Sequence, residues 1–270
     1  MAKSRSTTML VTTVDTTGRA AARRRPDEVV VEEPLTIQLN DVTVATTMRT
    51  PGHDFELAVG FCHAEGLLGG APVTAVRYCA AAPASATEFN VVTVTAPAAP
   101  PPAPRLGTTT SSCGWCGSDA TLALAGRLAP IPGASAPAVA VLAGIADAVR
   151  PLQALFSATG AVHAAAAFAA DGRVLLVRED VGRHNAVDKV VGRMLLDGQL
   201  PAGALGLFVS GRASFELVAK AWAAGFAAMV SVSAPTALAV ETARRAGLLL
   251  AGFGRGTALN VYAPERLPAS

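Results

Sequence analysis

From about Ala138 onward the chain keeps one rhythm, in which apolar runs of four to six residues alternate with stretches of helical length. The runs at 174–177, 205–209, 229–232 and 248–253 are each short enough to be strands and too uniformly apolar to have a wet face. Such runs are buried on both sides. Strands alternating with helices at 139–157, 185–196, 214–224 and 236–246 predict an α/β fold with a mostly parallel sheet covered on both faces. An Asp171-Gly172 turn joins the apolar segment 161–170 to the strand at 174–177 as a hairpin. Open α/β sheets bind ligands beyond the carboxyl ends of their strands. Polar blocks stand at those positions: Arg178-Glu179-Asp180, Ser210-Gly211-Arg212, Ser233-Ala234-Pro235 and Gly254-Arg255-Gly256-Thr257 each follow a predicted strand.

A chain of 270 residues that is 51% hydrophobic and 16% charged can bury a large core. Its formal net charge of +2 is too small for a nucleic-acid footprint, which needs basic residues massed on one face. The one dense basic run, Arg23-Arg24-Arg25, lies in a Thr/Ala/Arg-rich start that reads as a disordered arm over 1–27. Threonines and Asp15 occupy the place of the apolar core of a secretory signal, so the expected location is the cytoplasm. A charge-free run over 221–240 reaches the roughly 20 residues of a membrane span. Gly225, Ser231, Ser233 and Pro235 interrupt it, and it reads as a helix end, a strand and a helix start, with no membrane span.

Residues 28–137 read as a smaller β-rich unit and 138–267 as the α/β nucleotide- or cofactor-binding domain. In the first unit, segments 29–31, 35–40 and 42–44 make a hairpin with an Asn40-Asp41 turn, and Asp54 caps a helix running toward Gly66. Strands follow at 75–79 and 89–95. The Ala/Pro stretch 96–104 cannot maintain a ladder and forms a loop or linker.

Beyond it comes Cys113-Gly114-Trp115-Cys116-Gly117, holding two of the four cysteines. A thiolate is a strong nucleophile and a soft metal ligand, so redox exchange, metal binding and sulfur carriage are all open to this pair. A thioredoxin-like site would follow a central strand, whereas Pro/Thr/Ser-rich sequence precedes Cys113 and makes the pair part of a mobile loop. A structural zinc site would need two more ligands, and no second pair follows at ligand spacing. The most polar compact block of the second half runs from Asp180 to Lys189. Its glycine allows a tight turn, Asn185 can cap the next helix, and Arg183 and His184 offer donors to an anion or carbonyl. Arg212, Ser214, Glu216 and Lys220 form a similar block, in which Glu216 and Lys220 have the spacing of an exposed i,i+4 pair. His163, in an apolar setting, reads as a core residue.

Together these blocks resemble the formate dehydrogenase accessory family FdhD. The resemblance rests on Glu33-Pro34-Leu35, the run from Arg49 to Ala58, Gly66-Leu67, Ser112 to Gly117, Thr159 to Ala165, Asp180 to Lys189, Ser210-Gly211-Arg212 and the stretch from Phe253 to Tyr262. It implies a sulfurtransferase acting as a sulfur carrier. Such a protein takes sulfane sulfur from a cysteine desulfurase as a persulfide and passes it to the molybdenum or tungsten bis(molybdopterin guanine dinucleotide) cofactor of formate dehydrogenase. It also implies a cytidine-deaminase-like core, a homodimer, contact with the formate dehydrogenase catalytic subunit, and no permanently bound metal. On this chain Cys113 becomes the persulfide carrier and Cys116 its helper. Phe253, Gly254, Arg255, Gly256, Thr257 and Ala258 become the cofactor-binding stretch, with Arg183, His184, Ser210 and Arg212 around the guanine nucleotide. Deamination is disfavoured, because His163 is followed by Ala164-Ala165 where a deaminase needs His-x-Glu, and no cysteine follows Cys116. Two other readings stay open: a chaperone that binds and delivers the cofactor without sulfur chemistry, and a dithiol reductase.

Overall fold

The computed structural model describes residues 3–17, 21–78, 89–102, 126, 128–131 and 136–264. It opens with an antiparallel ribbon of β1 (Ser6–Thr13) and β2 (Arg23–Val30), in which Ser6 faces Val30 and Thr13 faces Arg23. This corrects the disordered arm expected over 1–27. Threonine and valine give β1 its strand preference. Most of the ribbon is exposed on both faces, so no alternation of apolar and polar residues marks it in the sequence.

The first layered unit is a sheet with one helix on it. Its strands are β3 (Glu33–Leu39), β4 (Val42–Arg49), β5 (Ala75–Tyr78) and β6 (Val91–Thr95), in the order β4-β3-β6-β5, and α1 (Asp54–Ala64) lies between β4 and β5 in sequence. Asn40 and Asp41 both take positive φ, 49° and 67°, and close the β3–β4 hairpin where the sequence placed the turn. Leu35, Ile37 and Leu39 alternate inward along β3 and pack with Leu57, Val59 and Cys62 of α1. Asp54 is the first residue of α1 and does not cap it; the cap position is His53, held at φ 58°.

The second unit begins with α2 (Val139–Val149), a 3₁₀ turn at Arg150–Leu152 and α3 (Ala154–Thr159). Pro151 breaks what the sequence reading took as one helix over 139–157. Then follow β7 (His163–Phe168), β8 (Val174–Asp180), α4 (Arg183–Leu196), β9 (Gly203–Val209), α5 (Phe215–Ala223), β10 (Phe226–Ser231), α6 (Ala237–Ala246), β11 (Leu249–Arg255) and β12 (Ala258–Ala263). The six strands lie in the order β12-β11-β10-β9-β7-β8. Among the described residues no helix is long and apolar enough to cross a membrane.

The sheet is mixed, which corrects the mostly parallel arrangement. Only β9–β10 and β10–β11 pair parallel, while β7–β8, β7–β9 and β11–β12 are antiparallel. The cause is local: a short loop over 169–173, its turn closed by Gly172 N donating to the Ala169 carbonyl at 2.9 Å, and a two-residue turn at Gly256-Thr257 fold two hairpins onto the parallel centre, and connections this short can only reverse a strand. One face of the sheet packs Val190, Leu217 and Trp222 from α4 and α5. The other packs Leu142, Ile145 and Val149 from α2 against Phe168, Phe208 and Val230.

The two units meet where α1 crosses α4. A Cβ placed on Gly60 would lie 1.9 Å from the Asp188 carbonyl oxygen, and one on Gly192 would lie 1.8 Å from that of Glu56. Each helix thus presses its backbone into the other's only side-chain-free position at the crossing.

Candidate functional site

Because β7 runs against its neighbours, its first residue, His163, lies opposite Asp180, the last residue of β8. The carboxyl ends of β8, β9, β10 and β11 therefore share one edge with His163. A cavity of about 600 Å³ opens there. Its lining includes Asp147 and Arg150 from the end of α2, Gln153, His163, Ser210 after β9 and Arg255 at the end of β11.

Asp180 fixes the floor of this edge. It is fully buried, and its carboxylate accepts from four donors: Thr50 N (3.1 Å), Gly182 N (2.8 Å), Asn185 Nδ2 (3.0 Å) and Lys189 Nζ (2.7 Å). Lys189, also fully buried, donates to the Thr50 carbonyl at 2.9 Å. Asn185 does not cap its helix; the cap position is Gly182, and the Asn185 amide also donates to the Met48 carbonyl at 2.8 Å. One charge pair thus ties the β4–α1 loop of the first unit to the start of α4 in the second. A further link is Arg178 to Glu56, at 2.5 and 2.8 Å. Burial opposes the charge on Glu56, but the hydrogen bonds from Arg178 and His53 outweigh it and bring its carboxyl from 4.5 down to about 2.

His163 does not sit in a closed core. It lines the cavity, its Nδ1 3.4 Å from Ser210 Oγ, which in turn accepts from Ala164 N at 2.8 Å. Burial, with the charges of Arg183 and His184, lowers its pKa and keeps the ring neutral at neutral pH. Arg183 lies beside it: a Cβ on Gly211 would be 3.5 Å from the His163 ring and 3.7 Å from Arg183 Cδ. The buried Arg183 Nε has no partner among the described residues.

The other residues picked out in the sequence scatter around this edge. Ser210 and Arg255 line the cavity, while Arg212 is exposed. His184 turns to α5, its Nε2 2.7 Å from Glu216 Oε2. Lys220 is not part of an exposed pair with Glu216; it is buried and donates to both oxygens of Asp188, at 2.7 and 2.9 Å. Phe253 is 47% exposed at φ 56°, on the irregular stretch of β11 where pairing with β12 slips between Gly252 and Arg255. Gly254 is buried against Val230, Gly256 and Thr257 form the exposed β11–β12 turn, and Ala258, also exposed, opens β12. Cys113 and Cys116 lie outside the described residues. Cys62 is fully buried, and burial pushes its thiol up to about 12, far from a reactive range. Asp147, Arg150 and Gln153 escaped the sequence reading. The signal available was their spacing at 147, 150 and 153, three polar residues in an otherwise apolar stretch around Pro151.

The sequence profile of the FdhD/NarQ family matches residues 30–268. The chain belongs to that family. It is 48% identical over 255 residues to a sulfur carrier protein FdhD of Streptomyces avermitilis, covering 91% of this chain and 90% of the relative. A protein of the same description from Mycobacterium tuberculosis is 45% identical over 249 residues, with 88% and 90% covered. The fold matches a crystal structure of a candidate formate dehydrogenase accessory protein from Desulfotalea psychrophila, with a TM-score of 0.74 and 24% identity. That match covers 98% of this chain and all of the other.

Proposed function

We propose that this FdhD/NarQ family member is a sulfur carrier serving formate dehydrogenase, with Cys113 as the carrying thiol. The reading is carried by the near full-length similarity to relatives described as sulfur carrier proteins, together with the Cys113-Gly114-Trp115-Cys116-Gly117 pair in the sequence. The Cys113 thiolate attacks the outer sulfur of a cysteine desulfurase persulfide. The donor's S–S bond breaks, its cysteine leaves as a thiolate, and Cys113 becomes the persulfide. Cys116 assists as the neighbouring thiol.

The Cys113 persulfide S–S bond then breaks, Cys113 leaves as the thiolate, and the outer sulfur passes at the sulfane level to the bis(molybdopterin guanine dinucleotide) cofactor, a client and not a resident group, on its way to the formate dehydrogenase catalytic subunit. The carboxyl edge of the six-stranded sheet suits a nucleotide: a cavity of about 600 Å³ with Ser210 and Arg255 in its wall and Arg183 beside it. We assign the segment from Phe253 to Ala258 to the same cofactor. The working form is a homodimer in the cytoplasm.

The test is peptide mass spectrometry after incubation with a cysteine desulfurase and cysteine. One added sulfur is expected on the Cys113 peptide, and none in Cys113→Ala. Failure to find it on the wild-type peptide would falsify the carrier reading. Delivery of active cofactor retained in Cys113→Ala would replace it with the chaperone.

A further inference from the structure

The ribbon of β1 and β2 is fastened at its base, where Val31 N donates to the Arg5 carbonyl at 2.9 Å, Lys3 pairs with Glu33 and β2 touches α3. Beyond that base both faces are open, and Met9 and Leu10 are 51% and 57% exposed. Two strands alone are marginally stable in water, and further strands are what secure such a ribbon. The register shows which edge can take one. Because Val31 donates to Arg5 and the pairing runs without a slip from Ser6–Val30 to Thr13–Arg23, Thr7, Met9, Val11 and Thr13 turn their main-chain groups toward β2. Thr8, Leu10 and Thr12 therefore turn theirs outward, and β1 has no other neighbour among the described strands. The outer edge of β2 is closed to pairing by Arg23, Arg24, Arg25, Asp27 and Glu28, and by Pro26, whose nitrogen faces outward by the same alternation and has no hydrogen to give. From Ser6 to Val14 the first strand has neither a charge nor a proline, so its edge is open.

The open strand is also its own complement. From 7 to 13 it reads Thr-Thr-Met-Leu-Val-Thr-Thr, the same succession of hydroxyl and aliphatic side chains in either direction, with Leu10 at the centre. Turned about a two-fold axis and laid antiparallel, it sets Leu10 opposite Leu10 of a second copy, Met9 opposite Val11, Thr8 opposite Thr12 and Thr7 opposite Thr13. Leu10 with its copy, Thr8 with Thr12 and Thr12 with Thr8 are then the pairs that exchange main-chain hydrogen bonds. Aliphatic faces aliphatic and threonine faces threonine, both favourable cross-strand pairs. The outer strands match in charge as well. Asp27 and Glu28 stand beside Met9 and Thr8, and Arg25 and Arg24 beside Val11 and Thr12, so every row through these residues carries an acid at one end and an arginine at the other. We propose that β1 is the contact between two copies of this chain, paired edge to edge about Leu10 so that the two ribbons form one four-stranded sheet. The inference rests on the reading of the working form as a homodimer and gives that dimer its interface. A strand of eight residues is a small contact beside the roughly 1,200 Å² of a stable interface, so the association is weak, with a Kd on the order of micromolar.

Sedimentation equilibrium of the full chain tests it, the wild type being expected to pass from monomer to dimer over the micromolar range. Leu10→Pro removes an outward N–H and none of the ribbon's own, so it should weaken dimerisation by about tenfold or more while the thermal midpoint holds. Leu10→Cys reads the register directly. Residue 10 meets its own copy, so oxidation should link residue 10 to residue 10, located by peptide mass spectrometry. Thr13→Cys, also exposed, should not link to itself, because its counterpart is Thr7. A wild-type dimer that Leu10→Pro leaves unchanged, with no link between the two residues 10, would overturn the proposal and place the homodimer on another surface. A chain that stays monomeric to about 100 μM would overturn the proposal and the homodimer reading together, and leave the edge to a strand of another protein.

Discussion

Lys189 and Asp180 are both fully buried, 2.7 Å apart, and neither could stay charged there without the other. Lys189→Met leaves the Asp180 carboxylate without its counter-charge, so the expected loss is about 3–5 kcal/mol, measured by urea unfolding. A loss below about 1 kcal/mol would mean that the three remaining donors suffice. Glu56 makes a pH-dependent contribution. Its carboxyl is held at about 2 in the fold against 4.5 in the free side chain, so the folded state binds fewer protons between those values. The stabilisation is complete above pH 4.5 and drains away as pH falls toward 2. Thermal midpoints should therefore fall more steeply over that window in the wild type than in Glu56→Gln; parallel curves would contradict the assignment. At this scale the sequence was legible by type and not by partner. Asp180, Asn185 and Lys189 were visible as a polar block, but Asp180's grip on Thr50 spans 130 positions, which no local spacing encodes. Lys220 looked like half of an exposed pair because its true partner, Asp188, lies on a different helix.

Among the elements, the α1–α4 crossing is the least forgiving. An Ala methyl at Gly192 would sit 1.8 Å from the Glu56 carbonyl oxygen, so one helix backbone must move. Gly192→Ala is expected to cost more than about 2 kcal/mol through overpacking. Gly144 in α2 has nothing within 4 Å of its added methyl, so Gly144→Ala should instead stabilise by about 0.5–1 kcal/mol. Equal effects from the two substitutions in chemical denaturation would contradict the packing described. Buried helices and strands were readable because period and length separate them, as with β9, α5 and β10. The elements missed are those with little inward face: β1 and β2, exposed on both sides, and β12, whose burial is mostly partial. The break at Pro151 was readable and passed over.

For the whole molecule, the apolar runs announced buried strands, but strand direction depends on the turns between them. Two hairpins made the sheet mixed while leaving the carboxyl ends of β8 to β11 on one edge. A cavity therefore opens at that edge despite the error about the sheet. The sequence reading located Ser210 and Arg255 at the cavity, and missed Gln153, Asp147 and His163, which reach the same edge from helix ends and from a strand running the other way. The central claim is that one chain receives sulfur on Cys113 and hands it to the cofactor of formate dehydrogenase. The most direct measurement loads the protein with radiolabelled sulfur from cysteine and a desulfurase, removes the donor, and adds inactive formate dehydrogenase with its cofactor. Label leaving the Cys113 peptide in step with the appearance of formate oxidation is the predicted result; activity that rises while the label stays on Cys113 would contradict it.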